Sequence, residues 1–204
     1  MDGGAAGPAE VAVEEFRNFT DGLGKAEAFI RAKCEQFATG GLSIHLKHTR
    51  AKDRDFDGYY RLDDSRLVVA VKQGLRYPRR AAYGVGSTSR QDWDGTGLPY
   101  HLVWHEDEFG SADDLAVFGA GHELWHFLCH TGQRRRDHET RANCNGFLWL
   151  AEFKDWPGPG APVSAQPALP PRPDGDRPDG SSQDGPAWVQ LGLFGAGPGS
   201  EQRV

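Results

Sequence analysis

Cysteine is scarce in this chain. Cys34, Cys129 and Cys144 are the only three in 204 residues. So small and odd a number gives no disulfide framework, which excludes a covalently stapled secreted scaffold and makes a reducing compartment, the cytoplasm, the expected setting. Long apolar runs are missing too: no stretch approaches the ~20 residues that a membrane-spanning helix needs. The N-terminus lacks a charged segment followed by an apolar one, so no secretory leader is expected. Positive charge is in deficit, with 23 Lys and Arg against 29 Asp and Glu and a net charge of -6. That sign disfavours broad nonspecific binding to nucleic acid. Two local basic clusters, Arg76, Arg79 and Arg80 and then Arg134 to Arg136, leave the nucleic-acid question open. They are read first as solvated loop charge.

What the chain does contain is a short stretch with chemistry in it, His122-Glu123-Leu124-Trp125-His126. Two histidines four apart project from one face of a helix and can share a metal ion. A glutamate after the first histidine lies beside the ion's water and can accept its proton. The context is helical. Ser111 is a capping residue, Asp113 and Asp114 suit the positive end of a helix, and Leu115, Ala116, Phe118 and Ala120 carry an apolar pattern into the motif. Thr131-Gly132 ends the helix. The competing reading is a buried helix whose histidines are only hydrogen-bonded core residues.

A catalytic metal of this kind takes a third protein ligand and leaves a position for water. A second helix is expected from near Asp137 through Trp149 to Phe153. Glu139 and Asn143 share a face of it, which suits a carboxylate ligand with an amide beside it to orient the site. Glu139 is favoured as the third ligand. His130, farther along the first helix, and Asp137 and His138, beside Glu139, are its rivals.

HELWHFLCH followed by HETRANCNGFLWLAEF resembles the ImmA/IrrE family of zinc metallopeptidases, over about residues 112–153. The resemblance implies zinc bound by His122, His126 and Glu139, with Glu123 as the catalytic base and Asn143 in support. It also implies a zincin-like domain acting on a protein substrate, since members of the family often cleave or inactivate transcriptional repressors. The chain departs from the family pattern at Trp125, at Arg141 and at Gly146-Phe147-Leu148. SprT-like proteases, which use a third histidine, are the nearest enzyme rival. A zinc-binding adaptor without hydrolysis, or a DNA-associated regulator working through the basic loops, stands as the non-enzyme alternative.

The remaining segments frame an α+β domain over residues 10–156, with a small, mainly antiparallel sheet packed on helices. Residues 1–9 are a flexible start. Glu10 to Phe19 is a short helix candidate. Lys25 to Phe37 is a second, with Ala26, Phe29, Ile30, Cys34 and Phe37 on one packing stripe. Leu42 to His48 alternates as a strand and sets His45 and His48 on opposite faces, against a shared metal. Residues 58–62 and 66–71 form a hairpin turning at Asp63-Asp64-Ser65. Residues 72–98 are loop-like because of their glycines. Leu98 to His105 is an edge strand expected to border the cleft, offering Tyr100, His101 and His105 as oxyanion stabilisers. Nine of the thirteen prolines fall between Pro157 and Pro186, so 157–186 is a disordered linker. The tail, 187–204, holds a short apolar island from Ala187 to Phe194.

Overall fold

A computed structural model describes residues 13–50, 55–89, 100–134 and 138–165. Its elements run β1 (Glu15–Asn18), α1 (Gly24–Cys34), β2 (Ser43–Thr49), β3 (Phe56–Arg61), β4 (Arg66–Lys72), β5 (Arg79–Ser89), β6 (Tyr100–Phe109), α2 (Ala112–His130) and α3 (Glu139–Asp155). The α+β class is as expected. The sheet is not mainly antiparallel. Four strands lie in the order β1-β2-β4-β3, and β1–β2 and β2–β4 are parallel while β3–β4 is antiparallel. Parallel neighbours need a crossover between them, and α1 is the crossover from β1 to β2. The segment read as a helix up to Phe19 supplies β1 instead. Four residues are too few for periodicity to separate strand from helix, and pairing with β2 decides the outcome.

Between β5 and β6 lies a separate antiparallel pair. The glycines that made residues 72–98 look like loop mark a bulge within β5, where the register against β6 shifts between Gly84 and Gly86. Glycine inside a strand signals such an irregularity as often as it signals a break.

β3 and α2 pack in step. Phe56, Gly58 and Tyr60 share one face of β3 and meet α2 at Gly119, at Glu123 and at Phe127 with His130. Two residues of strand advance about 6.6 Å and four residues of helix about 6 Å, so successive contacts stay aligned. α1 ends at Cys34, short of the expected Phe37; it buries Ala26, Phe29, Ile30 and Cys34 of the predicted stripe, and Phe37 is buried in the turn that follows. The Phe29 ring meets Trp149, Phe153 and Trp156 edge-on. Cys34 is a core residue whose thiol burial pushes up to about 12. α1 has no side-chain cap of its own, and Asp113 of α2 accepts from the Ala26 N–H at 2.7 Å in its place.

The Pro/Gly-rich stretch beginning at Pro157 starts as ordered chain. Trp156 Nε1 donates to Ala161 O at 3.2 Å, and Lys33 Nζ donates to Ser164 O at 2.9 Å. The rest of that stretch, the N-terminal residues 1–9 and the apolar island lie outside the described residues. Among the described residues no helix is long and apolar enough to cross a membrane.

Candidate metal centre

α2 starts where the sequence places it. The Ser111 side chain accepts from the Asp114 N–H, and Asp114 Oδ2 accepts from the Gly110 N–H at 2.7 Å, so the acid secures the turn before the helix. The helix ends with Thr131 as its cap and Gly132 at φ 74°. Between these ends it is buried almost all round, including His122 and Glu123. Gly119 and Gly121 permit this. A Cβ at Gly119 would stand 2.1 Å from the Phe56 ring, and one at Gly121 2.9 Å from Trp149. Each glycine costs a helix about 1 kcal/mol relative to alanine. The close approach of β3 on one side and α3 on the other offsets that cost.

α3 approaches α2 with a glycine of its own. A Cβ at Gly146 would meet Phe118 O at 2.7 Å, and the buried Asn145 donates from Nδ2 to Gly121 O. The start of α3 thus lies over the two histidines. His122 Nε2 stands 3.2 Å from His126 Nε2 and 3.4 Å from Glu139 Oε2, and His126 Nε2 stands 3.5 Å from Glu139 Oε1. His122, His126 and Glu139 form a group that can hold a metal ion, their ligand atoms all within 4.8 Å of one another.

Asn143 decides the protonation of this group. Its Nδ2 donates to Gly84 O at 2.9 Å, so its Oδ1 faces His122 Nδ1, also at 2.9 Å. A carbonyl oxygen can only accept, so Nδ1 of His122 carries a proton, and in the neutral ring Nε2 is the nitrogen with the lone pair, as a metal ligand requires. Glu139 Oε2, across from that lone pair, is buried with no hydrogen-bond partner. With the ring neutral, Nε2 and Oε2 are two acceptors 3.4 Å apart, a contact that either a proton on Nε2 or a metal ion between the side chains relieves.

Glu123 lies on the β3 side. It is 1% exposed, and its Oε1 has no hydrogen-bond partner. Burial pushes its carboxyl above the ordinary carboxylate range, the His122 and His126 rings pull it down, and Glu139 and Asp57 add to the rise. Its near neighbour is backbone: a Cβ at Gly58 would stand 2.7 Å from Oε1.

The expected residues distribute as follows. His122, Glu123, His126, Glu139 and Asn143 come together. His130 instead lies near Tyr60, with ring centroids 6.1 Å apart, and His138 is the exposed residue capping α3. Asp137 lies outside the described residues. Leu98 and Pro99 of the expected edge strand lie outside the described residues, and β6 does not supply the hydrogen bond to Asn143. Its partner β5 does, through Gly84 O to Asn143 and Val85 O to the Cys144 thiol. Successive carbonyls of a regular strand point to opposite edges, and the bulge turns both of these toward α3. On the other side β3 lies against Glu123. Of the proposed oxyanion residues, His105 rests edge-on against Phe147 at 4.4 Å and His101 is exposed. The Tyr100 side chain lies outside the described residues. Arg79 pairs with Asp55, and Arg80 faces Glu106 and Glu108, so that basic cluster is largely neutralised where it stands. Sequence reasoning missed Gly58 and Gly84. A glycine inside a strand is the available signal, since it marks close approach by another group.

Comparison with known proteins finds no matching family model, no matching curated protein and no matching solved structure.

Proposed function

We propose that this chain is a zinc-dependent peptidase with His122, His126 and Glu139 as its metal ligands. The observation that carries the reading is the convergence of these three side chains, one buried and two half-buried, with His122 held in the ligand tautomer by Asn143. The spacing of the imidazoles suits zinc. Atoms at the corners of a tetrahedron around an ion 2.0–2.1 Å away stand about 3.3–3.4 Å apart. The two histidine Nε2 atoms are 3.2 Å apart, and each faces a different oxygen of Glu139, at 3.4 and 3.5 Å. Two imidazoles and one carboxylate are also a common donor set for catalytic zinc. The resemblance of residues 112–153 to ImmA/IrrE metallopeptidases supports the same ligand set.

Zinc bound here supplies a Lewis acid that polarises a carbonyl and acidifies water. Glu123 takes a proton from the attacking water and returns it to the leaving nitrogen. Its burial suits that work, because a carboxylate in a poorly solvated place holds a transferred proton more firmly than one in water. Asn143 keeps the His122 ring from turning. An extended peptide binds along the edge of β3 away from β4, which pairs with no strand among the described residues. Strand addition there sets a scissile bond beside Glu123. The substrate class is a protein segment that can become extended, with a regulatory protein such as a repressor as the expected kind.

Metal analysis of the purified chain, followed by capture of bound protein with Glu123→Gln, tests the reading. One zinc per chain, and a captured partner that the unsubstituted protein cleaves, support it. Less than stoichiometric zinc, or full cleavage by Glu123→Gln, rejects it. Strong salt-dependent DNA binding without proteolysis would instead favour the DNA-associated alternative.

A further inference from the structure

Where β3 crosses α2, a missing side chain sets a distance. A Cβ at Gly58 would stand 2.7 Å from Glu123 Oε1, 3.2 Å from its Cγ and 2.8 Å from the Phe56 ring. Contacts this short do not survive in a close-packed interior, so something would have to move. Phe56 has little room to do so. Its ring fills the notch above Gly119, where a Cβ would meet it at 2.1 Å, and it is 2% exposed. Glu123 is the neighbour that would give way. Its Oε1 has no hydrogen-bond partner, so on the β3 side that oxygen is limited by contact rather than by a hydrogen bond. The three atoms nearest a Cβ at position 58 belong to Glu123 and Phe56, and none to His122, His126 or Glu139.

We propose that Gly58 is a positioning residue for Glu123. The bare backbone of β3 is a stop against which the carboxylate rests, and that stop holds it at the metal centre. The inference rests on the reading of Glu123 as the proton acceptor. It adds that the strand proposed to bind substrate also sets the base. Any side chain at position 58 tips the carboxylate out of place and leaves the ligand triad assembled. Gly119 is the natural control, because the three atoms nearest a Cβ there all belong to Phe56. Both glycines fit β3 to α2, and only one of them touches the carboxylate.

Gly58→Ala and Gly119→Ala, each alone and each combined with Glu123→Ala, test this in the full chain. Gly58→Ala is expected to keep one zinc per chain and to lose about 100-fold in kcat, the scale set by misplacing a catalytic group by about 1 Å. KM should change less than about twofold, because the loss falls on the reacting step. Its fall in Tm should shrink by at least about half when Glu123→Ala removes the carboxylate, whereas the fall caused by Gly119→Ala should persist unchanged. An equal Tm penalty for Gly58→Ala in both backgrounds overturns the proposal, as does an unchanged kcat in a folded Gly58→Ala. If Gly58→Ala does not fold, folding of the double variant with Glu123→Ala supports the proposal and its failure to fold overturns it. The Tm comparison needs no activity. Absence of zinc or proteolysis in the unsubstituted protein would therefore remove the peptidase reading and leave the steric claim to be decided by that coupling.

Discussion

α3 carries a carboxylate near each end, and the two sit in opposite electrical company. At its start, Glu139 faces the Nε2 atoms of His122 and His126 at 3.4 and 3.5 Å. Near its finish, Glu152 accepts from Lys33 Nζ at 2.8 Å and from the Ser164 N–H. Lys33 is 1% exposed. It would be a costly buried charge without that carboxylate, and with it the group is complete. The pair also fastens residues 157–165 to the domain through Ser164. Among the described residues Glu139 has no lysine or arginine as a partner, and it faces the imidazoles of His122 and His126 instead. One end of α3 is closed by an ion pair of the chain's own, whereas the other can hold a metal ion. Counting acids and histidines does not separate the two cases. Asking which atoms are donors and which are acceptors does.

The largest expected effect is on metal content. Glu139→Ala should reduce zinc from about one per chain to less than about 0.1 and abolish peptidase activity, because structural and catalytic zinc binding rests on the full ligand set. Glu152→Ala should leave zinc at about one per chain. Metal analysis of both purified variants gives the answer, and equal zinc in the two would erase the distinction between the ends. Glu123→Gln ranks next. It keeps the ligands and removes the proton acceptor, so kcat should fall by about 10²- to 10⁴-fold with zinc retained.

Stability should respond the other way round. Glu152→Ala leaves the Lys33 ammonium buried without a counter-charge, which costs about 3 kcal/mol. For a chain of this size that is a fall in Tm of about 6–12 °C, measurable by calorimetry. Asn143→Ala, at the metal end, should weaken zinc binding by about 10- to 100-fold by freeing the His122 ring. Competition with a chromophoric chelator reads that loss directly. An unchanged zinc affinity would mean that the bond from Nδ1 to Asn143 is incidental.

Legibility in the sequence follows the same physical line. α2 could be read because its signals are local: a capping serine, acids in the first turn, an apolar period and a closing glycine all lie within one segment. The third ligand could be narrowed because Glu139 and Asn143 share a helical face. β1 could not be found, since its four residues become a strand only by pairing with a distant one, β2. β5 was hidden because its glycines mark both a bulge and a loop in the same letters. β3 and β5 were not expected beside the site for a related reason. Which strand lies against Glu123 depends on sheet order and on notches at Gly58 and Gly119, and these exist only once β3 and α2 are brought together. The Lys33–Glu152 pair joins residues 119 apart in sequence, and nothing near either one announces it.

The smallest expected effect is the sharpest test of the contrast. If Lys33 and Glu152 are only structural, their charges are dispensable as a pair even though neither is dispensable alone. Replacing a buried ion pair by apolar residues of similar volume is often neutral or stabilising, because the cost of removing two charges from water disappears with them. Lys33→Met combined with Glu152→Leu should therefore change stability by no more than about 1 kcal/mol, against the roughly 3 kcal/mol expected for Glu152→Ala. The Ser164 N–H would lose its partner and the Ser164 C=O would keep Gln36 Nε2 at 2.8 Å, and because Ser164 is exposed water can replace what is lost. Tm and zinc content should both stay close to those of the unsubstituted chain. On the proposed reading no apolar pair can stand in for Glu139 and His126 in this way, because hydrocarbon cannot bind an ion. A double variant at Lys33 and Glu152 that loses zinc would show that the two ends of α3 are coupled, and the separation drawn between them would fail.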